Sequence, residues 1–289
     1  MTVLFTIGTM HWSKFLRSIQ PFAVLLAIDI AGFSQAAPAG WIIYPTPEDE
    51  SPTVYCANLS QREWRVSESQ ADIPEITALS TLHWSAELSN QSLPHGIKRK
   101  KGMVGRQSSF KTASGWLLGF DGGEFGGGLW LAHSSGRTQQ LSSENVHGFA
   151  STPEGVLIFV GLAHMGLDSG QVLIVHDADS PQVKVETLAK LDGAPETITP
   201  FSEHSVLVVT TRGISQIISD GTVNRLLERG FGLLYPNSVV VTKDGVIYVG
   251  MRMFVVRLVP QSGRYLEQWM VRQGCNRFRR TQSDCVCQK

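Results

Sequence analysis

Four polar residues hold equivalent positions relative to a repeated turn. Gln107, His147 and Asn237 lie eight residues before Gly115, Gly155 and Gly245, and Glu196 lies nine before Ser205. Each turn residue leads into an apolar run: Trp116-Leu117-Leu118, Val156-Leu157-Ile158, Val206-Leu207-Val208 and Val246-Ile247-Tyr248. Brought around a common axis, a carboxylate, an imidazole and two amides could orient a polar ligand. Glu196, Asn237 and His147 are also acceptable donors for a divalent metal such as Ca²⁺ or Zn²⁺, although the mixture selects no single ion. Ordinary strand-start residues facing trapped water would show the same spacing. The pattern therefore nominates a ligand site without assigning a catalytic residue.

Other chemistry-bearing stretches are less specific. Asp121-Gly-Gly-Glu-Phe-Gly-Gly-Gly128 lacks the Gly-Lys-Ser/Thr and following helix of a phosphate cradle. It reads as a loop over the channel, in which Asp121 and Glu124 could add carboxylates to a cation site. His133, His164, His176 and His204 fall at strand ends or loops, and no Gly-x-Ser-x-Gly elbow accompanies them. Trp116, Trp130 and Trp269 lie on strand-like runs and are expected in the core. The basic run Ile97–Lys101 lacks interleaved aromatics and reads as a solvated loop. Four cysteines, Cys56, Cys275, Cys285 and Cys287, fit two disulfides in an exported protein. A bridge from Cys56 to one of the other three would tie the two ends of the chain. The one-residue gap in Cys285-Val286-Cys287 is short for a zinc pair.

The elements that must position these residues repeat. The turn positions 115, 155, 205 and 245 are 40, 50 and 40 residues apart. Second strands follow at Gly128–Ala132, Gln171–Val175, Gly213–Ile218 and Met253–Arg257, then polar turns such as Ser219-Asp220-Gly221 and Gln261-Ser262-Gly263. Several short strands per period of about 40 residues are the signature of propeller blades. The expected fold is all-β: a β-propeller of four-stranded blades, about six, with five as the alternative. Strands are also expected at Gly40–Tyr44, Thr53–Cys56 and Arg62–Ser69, while residues 70–113 are the least legible.

Tyr235-Pro-Asn-Ser-Val-Val-Val-Thr-Lys-Asp-Gly-Val-Ile-Tyr-Val-Gly250 resembles the Pro-Asn-Gly-Ile-Ala-Val, Asp-Gly, Leu-Tyr-Val-Ala unit of NHL-type repeats and of the gluconolactonase (senescence marker protein-like) propellers. The resemblance covers one blade closely and three loosely. It implies a channel metal, held in those lactonases by Glu, Asn and Asp, that polarises a lactone carbonyl and a bound water. Glu196 and Asn237 match that set, His147 departs from it, and no aspartate matches the base. Ser238 stands where the family has glycine, and Met251-Arg252-Met253 replaces its Gly-Asn-x-Arg.

The N-terminus sets the expected address. Lys14 and Arg17 precede the apolar run Pro21–Ile28, and Ser34-Gln35-Ala36 carries small residues at cleavage spacing. Residues 1–36 are read as a signal peptide, 37–271 as the propeller and 272–289 as a basic, cysteine-rich tail. The expected location is periplasmic or secreted. A formal net charge of zero gives no reason to expect a nucleic-acid partner. The leading functional expectation is a monomeric binding module that meets a protein, glycan or small ligand at its channel mouth and touches membrane only through the signal. A metal-dependent, lactonase-like hydrolase is the alternative.

Overall fold

The structure is a computed structural model describing residues 36–69, 73–80, 93–180 and 182–288. Apart from Ala36, the expected signal peptide lies outside the described residues, as do residues 70–72 and 81–92 of the least legible stretch.

The chain opens with β1 (Trp41–Tyr44), helix α1 (Pro52–Asn58) and the hairpin β2 (Arg62–Ser67) and β3 (Glu75–Ser80). Three four-stranded antiparallel sheets follow. The first holds β4 (Arg106–Lys111), β5 (Gly115–Asp121), β6 (Gly127–His133) and β7 (Thr138–Ser142). The second holds β8 (Val146–Thr152), β9 (Gly155–His164), β10 (Leu167–Val175) and β11 (Glu186–Leu191). The third holds β12 (Pro195–Ser202), β13 (Ser205–Thr210), β14 (Gly213–Ile218) and β15 (Val223–Glu228). A fourth sheet takes β16 (Ser238–Val241), β17 (Ile247–Gly250), β18 (Val255–Gln261) and β19 (Arg264–Arg272), with β1 added outside β19. The chain ends in the hairpin β20 (Arg277–Arg280) and β21 (Cys285–Gln288).

The first strands of these sheets line up: β4 packs against β8, β8 against β12, β12 against β16, and β16 against β2. The chain is a β-propeller. Among the described residues five sheets occupy the circuit, four with at least four strands and one, β2–β3, with two.

Local chemistry explains the regular blades. Buried strands such as Ser205–Thr210 and Ile247–Gly250 are rich in valine and isoleucine, which suit a pleated surface packed on both faces. The turn glycines Gly115 and Gly155 are sterically required: a Cβ would fall 2.1 Å from the Ala132 carbonyl oxygen in the first and 2.5 Å from that of Val175 in the second. Between sheets, side chains interdigitate; Phe110 on β4 meets Phe149 on β8 with ring centroids 6.3 Å apart. Trp130 and Trp269 are buried as expected, and Trp116 is partly so.

One segment departs from expectation. Thr53–Cys56 lies within α1 rather than in a strand. Ser51 accepts a hydrogen bond from the Val54 amide at 3.4 Å, and Pro52 occupies the first turn, where its missing N–H costs nothing. These start signals override the β propensity of Thr-Val-Tyr. The helix carries Cys56 to Cys285, a disulfide spanning 229 residues, so the two ends are tied as the cysteine count suggested. Cys275–Cys287 closes the terminal hairpin. The pairing of β1 with β19, Trp41 opposite Arg272, joins the same ends through the backbone.

Candidate functional site

Two of the four nominated residues sit on β-bulges. In the β8–β9 ladder Val146 pairs with Val160 and Gly148 with Phe159, so His147 is the extra residue. In the β12–β13 ladder Pro195 pairs with Thr210 and Thr197 with Val209, which leaves Glu196 extra. A bulge breaks the period-two alternation and re-aims the added side chain. β4 has no such break at this level: Arg106 pairs with Asp121 and Gln107 with Phe120. The side chains of Arg106 and Gln107 therefore point to opposite faces.

Arg106, rather than Gln107, joins the cluster. Its Nη2 donates to Asp121 Oδ2 at 3.2 Å and lies 3.1 Å from His147 Nδ1. His147 Nδ1 lies 3.8 Å from Asp121 Oδ2, and its Nε2 lies 3.1 Å from the Gly161 carbonyl oxygen. Burial pushes the His147 pKa below the ordinary value; the Arg106 charge acts in the same sense and the Asp121 charge opposes it. The ring is thus neutral at pH 7. The tautomer protonated at Nε2 satisfies both nitrogens, donating to Gly161 and accepting from Arg106.

Glu196 shares this electrostatic neighbourhood. Burial raises its pKa to about 7; the Arg106 charge opposes the shift, and the charges of Asp121 and Asp168 reinforce it. Asp168 is itself held in place: its Oδ1 accepts from the Ala194 amide, two residues before Glu196, at 2.8 Å and from Thr211 Oγ1 at 2.7 Å, while Oδ2 accepts from Arg212 Nε at 2.7 Å. Burial disfavours the Asp168 charge, but these three donors outweigh it and keep its pKa below the usual carboxylate value. Asp168, Thr211 and Arg212 also line a cleft of about 600 Å³ on this face, together with Asp49, Arg229 and Leu233.

The remaining nominees are engaged elsewhere. Gln107 is buried and accepts from Arg99 Nη2 at 3.4 Å. Arg99, from the basic run read as solvated, stacks over Phe120 at 5.4 Å. Asn237 donates to Glu63 Oε2 at 3.5 Å, within a latch where Arg252 binds Glu63 at 3.2 Å and lies over Tyr235 at 4.0 Å. The proposed set of Glu196, Asn237 and His147 is therefore divided between two networks.

These residues do not fit the metal implied by the resemblance. Both His147 nitrogens are occupied, and the guanidinium of Arg106 supplies the positive charge beside Asp121. Among the described residues no three His, Cys, Asp or Glu side chains converge as a metal site. Glu124, the other carboxylate considered for a cation, pairs with His164 at 2.7 Å. Sequence reading missed Arg106, Asp168 and Thr211. Arg106 was recoverable in principle, since one residue of register exchanges it with Gln107.

No protein-family model and no curated protein matches the chain. Solved structures similar to it include the calcium-binding protein regucalcin of Agrobacterium tumefaciens, at 15% identity over 56% of this chain and 59% of that one, TM-score 0.38. A gluconolactonase of Xanthomonas campestris is 12% identical over 68% of this chain and 64% of that one, TM-score 0.37. A luciferin-regenerating enzyme is 11% identical over 63% and 66%, TM-score 0.40. The chain spans less than two thirds of the length of each of these proteins. The gluconolactonase-type propellers that the Tyr235–Gly250 unit resembles are met again among these neighbours. At these scores the fold assignment rests on this chain's own sheet order and register.

Proposed function

We propose that the channel mouth hydrolyses a polar ester or lactone, with Glu196 as general base and Arg106 facing the developing oxyanion. The observation that carries this reading is a bulge-aimed carboxyl beside a fixed guanidinium, a neutral imidazole and an adjoining cleft. A carboxyl that titrates near 7 accepts a proton from water and returns it within one cycle at neutral pH. Water oxygen attacks the acyl carbon while Glu196 takes the water proton. The carbon–oxygen bond of the tetrahedral adduct then breaks, and Glu196 protonates the departing alkoxide. The products are a carboxylic acid and an alcohol, joined as a hydroxy acid when the substrate is a lactone. Arg106 has five N–H donors, and the two contacts above use Nη2 alone, so the guanidinium can also face a carbonyl oxygen.

A panel of γ- and δ-lactones and aryl esters, assayed with the purified mature chain, tests this reading. Turnover is expected to persist in chelator and to fall at least about 100-fold in Glu196→Gln. Turnover lost on chelation and restored by Ca²⁺ or Zn²⁺ would return the site to metal chemistry.

The second reading is a binding module. Its support is the mutual satisfaction of Arg106, Asp121 and His147, which lets the cleft hold a polar ligand without reaction. Saturable binding of such a ligand with no turnover across the panel would establish it. For either reading we propose an address outside the cytoplasm, periplasmic or released, which the leader-like segment of residues 14–36 and the two disulfides support.

A further inference from the structure

The two most exposed large apolar side chains among the described residues lie together on the mouth face. Met165 is 93% exposed and Phe125 84% exposed. Phe125 ends the short 3-10 turn Gly123–Phe125 between β5 and β6, and Met165 tips the β9–β10 hairpin. The 2.7 Å contact of Glu124 with His164, each the immediate neighbour of one of them, joins the two loops. Leu167 is exposed beside Met165, and Val104 packs at the base of the Phe125 loop.

Neither tip owes its residue to the fold. His164 pairs with Leu167, leaving Met165-Gly166 as a two-residue turn with φ of 46° and 89°. Such a turn favours Asn or Gly at its first position, and an unbranched apolar side chain there is strained and buries nothing. Phe125 stands on a bolted base: Gly122 N donates to Asn145 Oδ1 at 3.3 Å, Asn145 Nδ2 to the Gly123 carbonyl oxygen at 3.0 Å, and Gly123 N to Asp121 Oδ1 at 3.1 Å. Exposed apolar clusters of this kind mark a contact surface.

The cluster is continuous with the polar site. Asp121 starts the loop that Phe125 ends, and Leu167 precedes Asp168. Gly161, which holds His147, lies four residues before Met165, roughly 13 Å along an extended strand. A ligand reaching from the channel to the rim meets charge first and then aromatic, thioether and aliphatic groups.

We infer that this rim holds the alkyl chain of an amphiphilic ester or lactone whose polar head enters the channel mouth. The chemistry of the head rests on the hydrolytic reading above; the docking of the chain is tested separately from it. In a series of γ-lactones of increasing alkyl length, kcat/KM is expected to rise about two-fold per methylene. That is below the roughly four-fold of complete burial, because the rim covers one side of the chain. The variant Phe125→Ser/Met165→Ser/Leu167→Ser should flatten that rise and leave the shortest lactone within two-fold of wild type. Matching alkyl lactams, which resist hydrolysis, give Kd by calorimetry below their critical micelle concentrations. A Kd that tightens with chain length in wild type and not in the variant supports the inference even if no lactone is turned over. Lactone turnover with no chain-length dependence overturns the inference and leaves the hydrolytic reading standing. Flat lactam Kd values in wild type, or an equal slope in the variant, also overturn it. So does a flat series combined with rim-dependent binding to phosphatidylcholine vesicles, which would assign the patch to a bilayer.

Discussion

The second and third blades start their inner strands with a bulge; the first and the last do not have one at the equivalent level. His147 and Glu196, on β8 and β12, are aimed by their bulges into one electrostatic cluster. Gln107 on β4 and Asn237 just before β16 share their offset from the turn, yet they serve neighbouring packing. Equal spacing from a turn thus does not mean equal direction. One unpaired residue in a ladder inverts which face a side chain meets, and in β4 the regular register presents Arg106 where counting pointed to Gln107.

The difference can be broken at several points. The largest effect is expected at Glu196→Gln, which keeps the shape of the bulged residue and removes its proton exchange: lactone kcat should fall at least about 100-fold. In the wild type, kcat/KM should rise through an apparent pKa near 7 as Glu196 ionises. A wild-type profile flat from pH 5.5 to 8.5 would remove Glu196 from the chemistry.

Stability separates the two faces of the regular start β4 next. Arg106→Met leaves Asp121 without its cation and His147 Nδ1 without its donor, and should cost about 2–3 kcal/mol. Gln107→Ala, one register position away, should cost about 1 kcal/mol. Denaturant titration of the two variants gives the ordering, and equal costs would cancel the distinction between the two faces of β4.

Glu196 also sets a pH dependence. The folded state holds its proton to about pH 7 and the unfolded chain releases it near the ordinary 4.5, so the folded state binds more protons between those values. The Glu196 contribution to stability should therefore fall as pH rises from about 4.5 to about 7 and level off above. The difference in Tm between wild type and Glu196→Gln across that window isolates this contribution from other titrating groups. The smallest effect on turnover is expected at Asn237→Ala, which loses the long hydrogen bond to Glu63 and the one accepted from Ser238 Oγ and, lying outside the cluster, should leave turnover within about two-fold.

Much of the fold was legible because its signals are local. Asp244-Gly245 needs a left-handed residue, φ 79° at Gly245, and any reader of turn chemistry finds it. Apolar runs after each turn announce buried strands in the same way. The helix at Pro52–Asn58 was local too, but its Ser-Pro start lost weight against β-branched neighbours. The site was less legible because its members belong together only through other strands. Arg106 becomes part of it by facing Asp121 across a ladder and His147 across a blade boundary.

Sequence alone determined the period, the apolar strands, the turn positions and the level at which inner strands begin, since each depends on residues a few positions apart. It also supplied a cysteine count that foreshadowed a tie between the ends. Tertiary structure alone decided that His147 and Glu196 are bulged, that Arg106 replaces Gln107 in the cluster, that Asn237 belongs to Glu63, and that Cys56 takes Cys285. Register, charge pairing and disulfide choice are properties of two chain segments at once, and no spacing along one segment contains them.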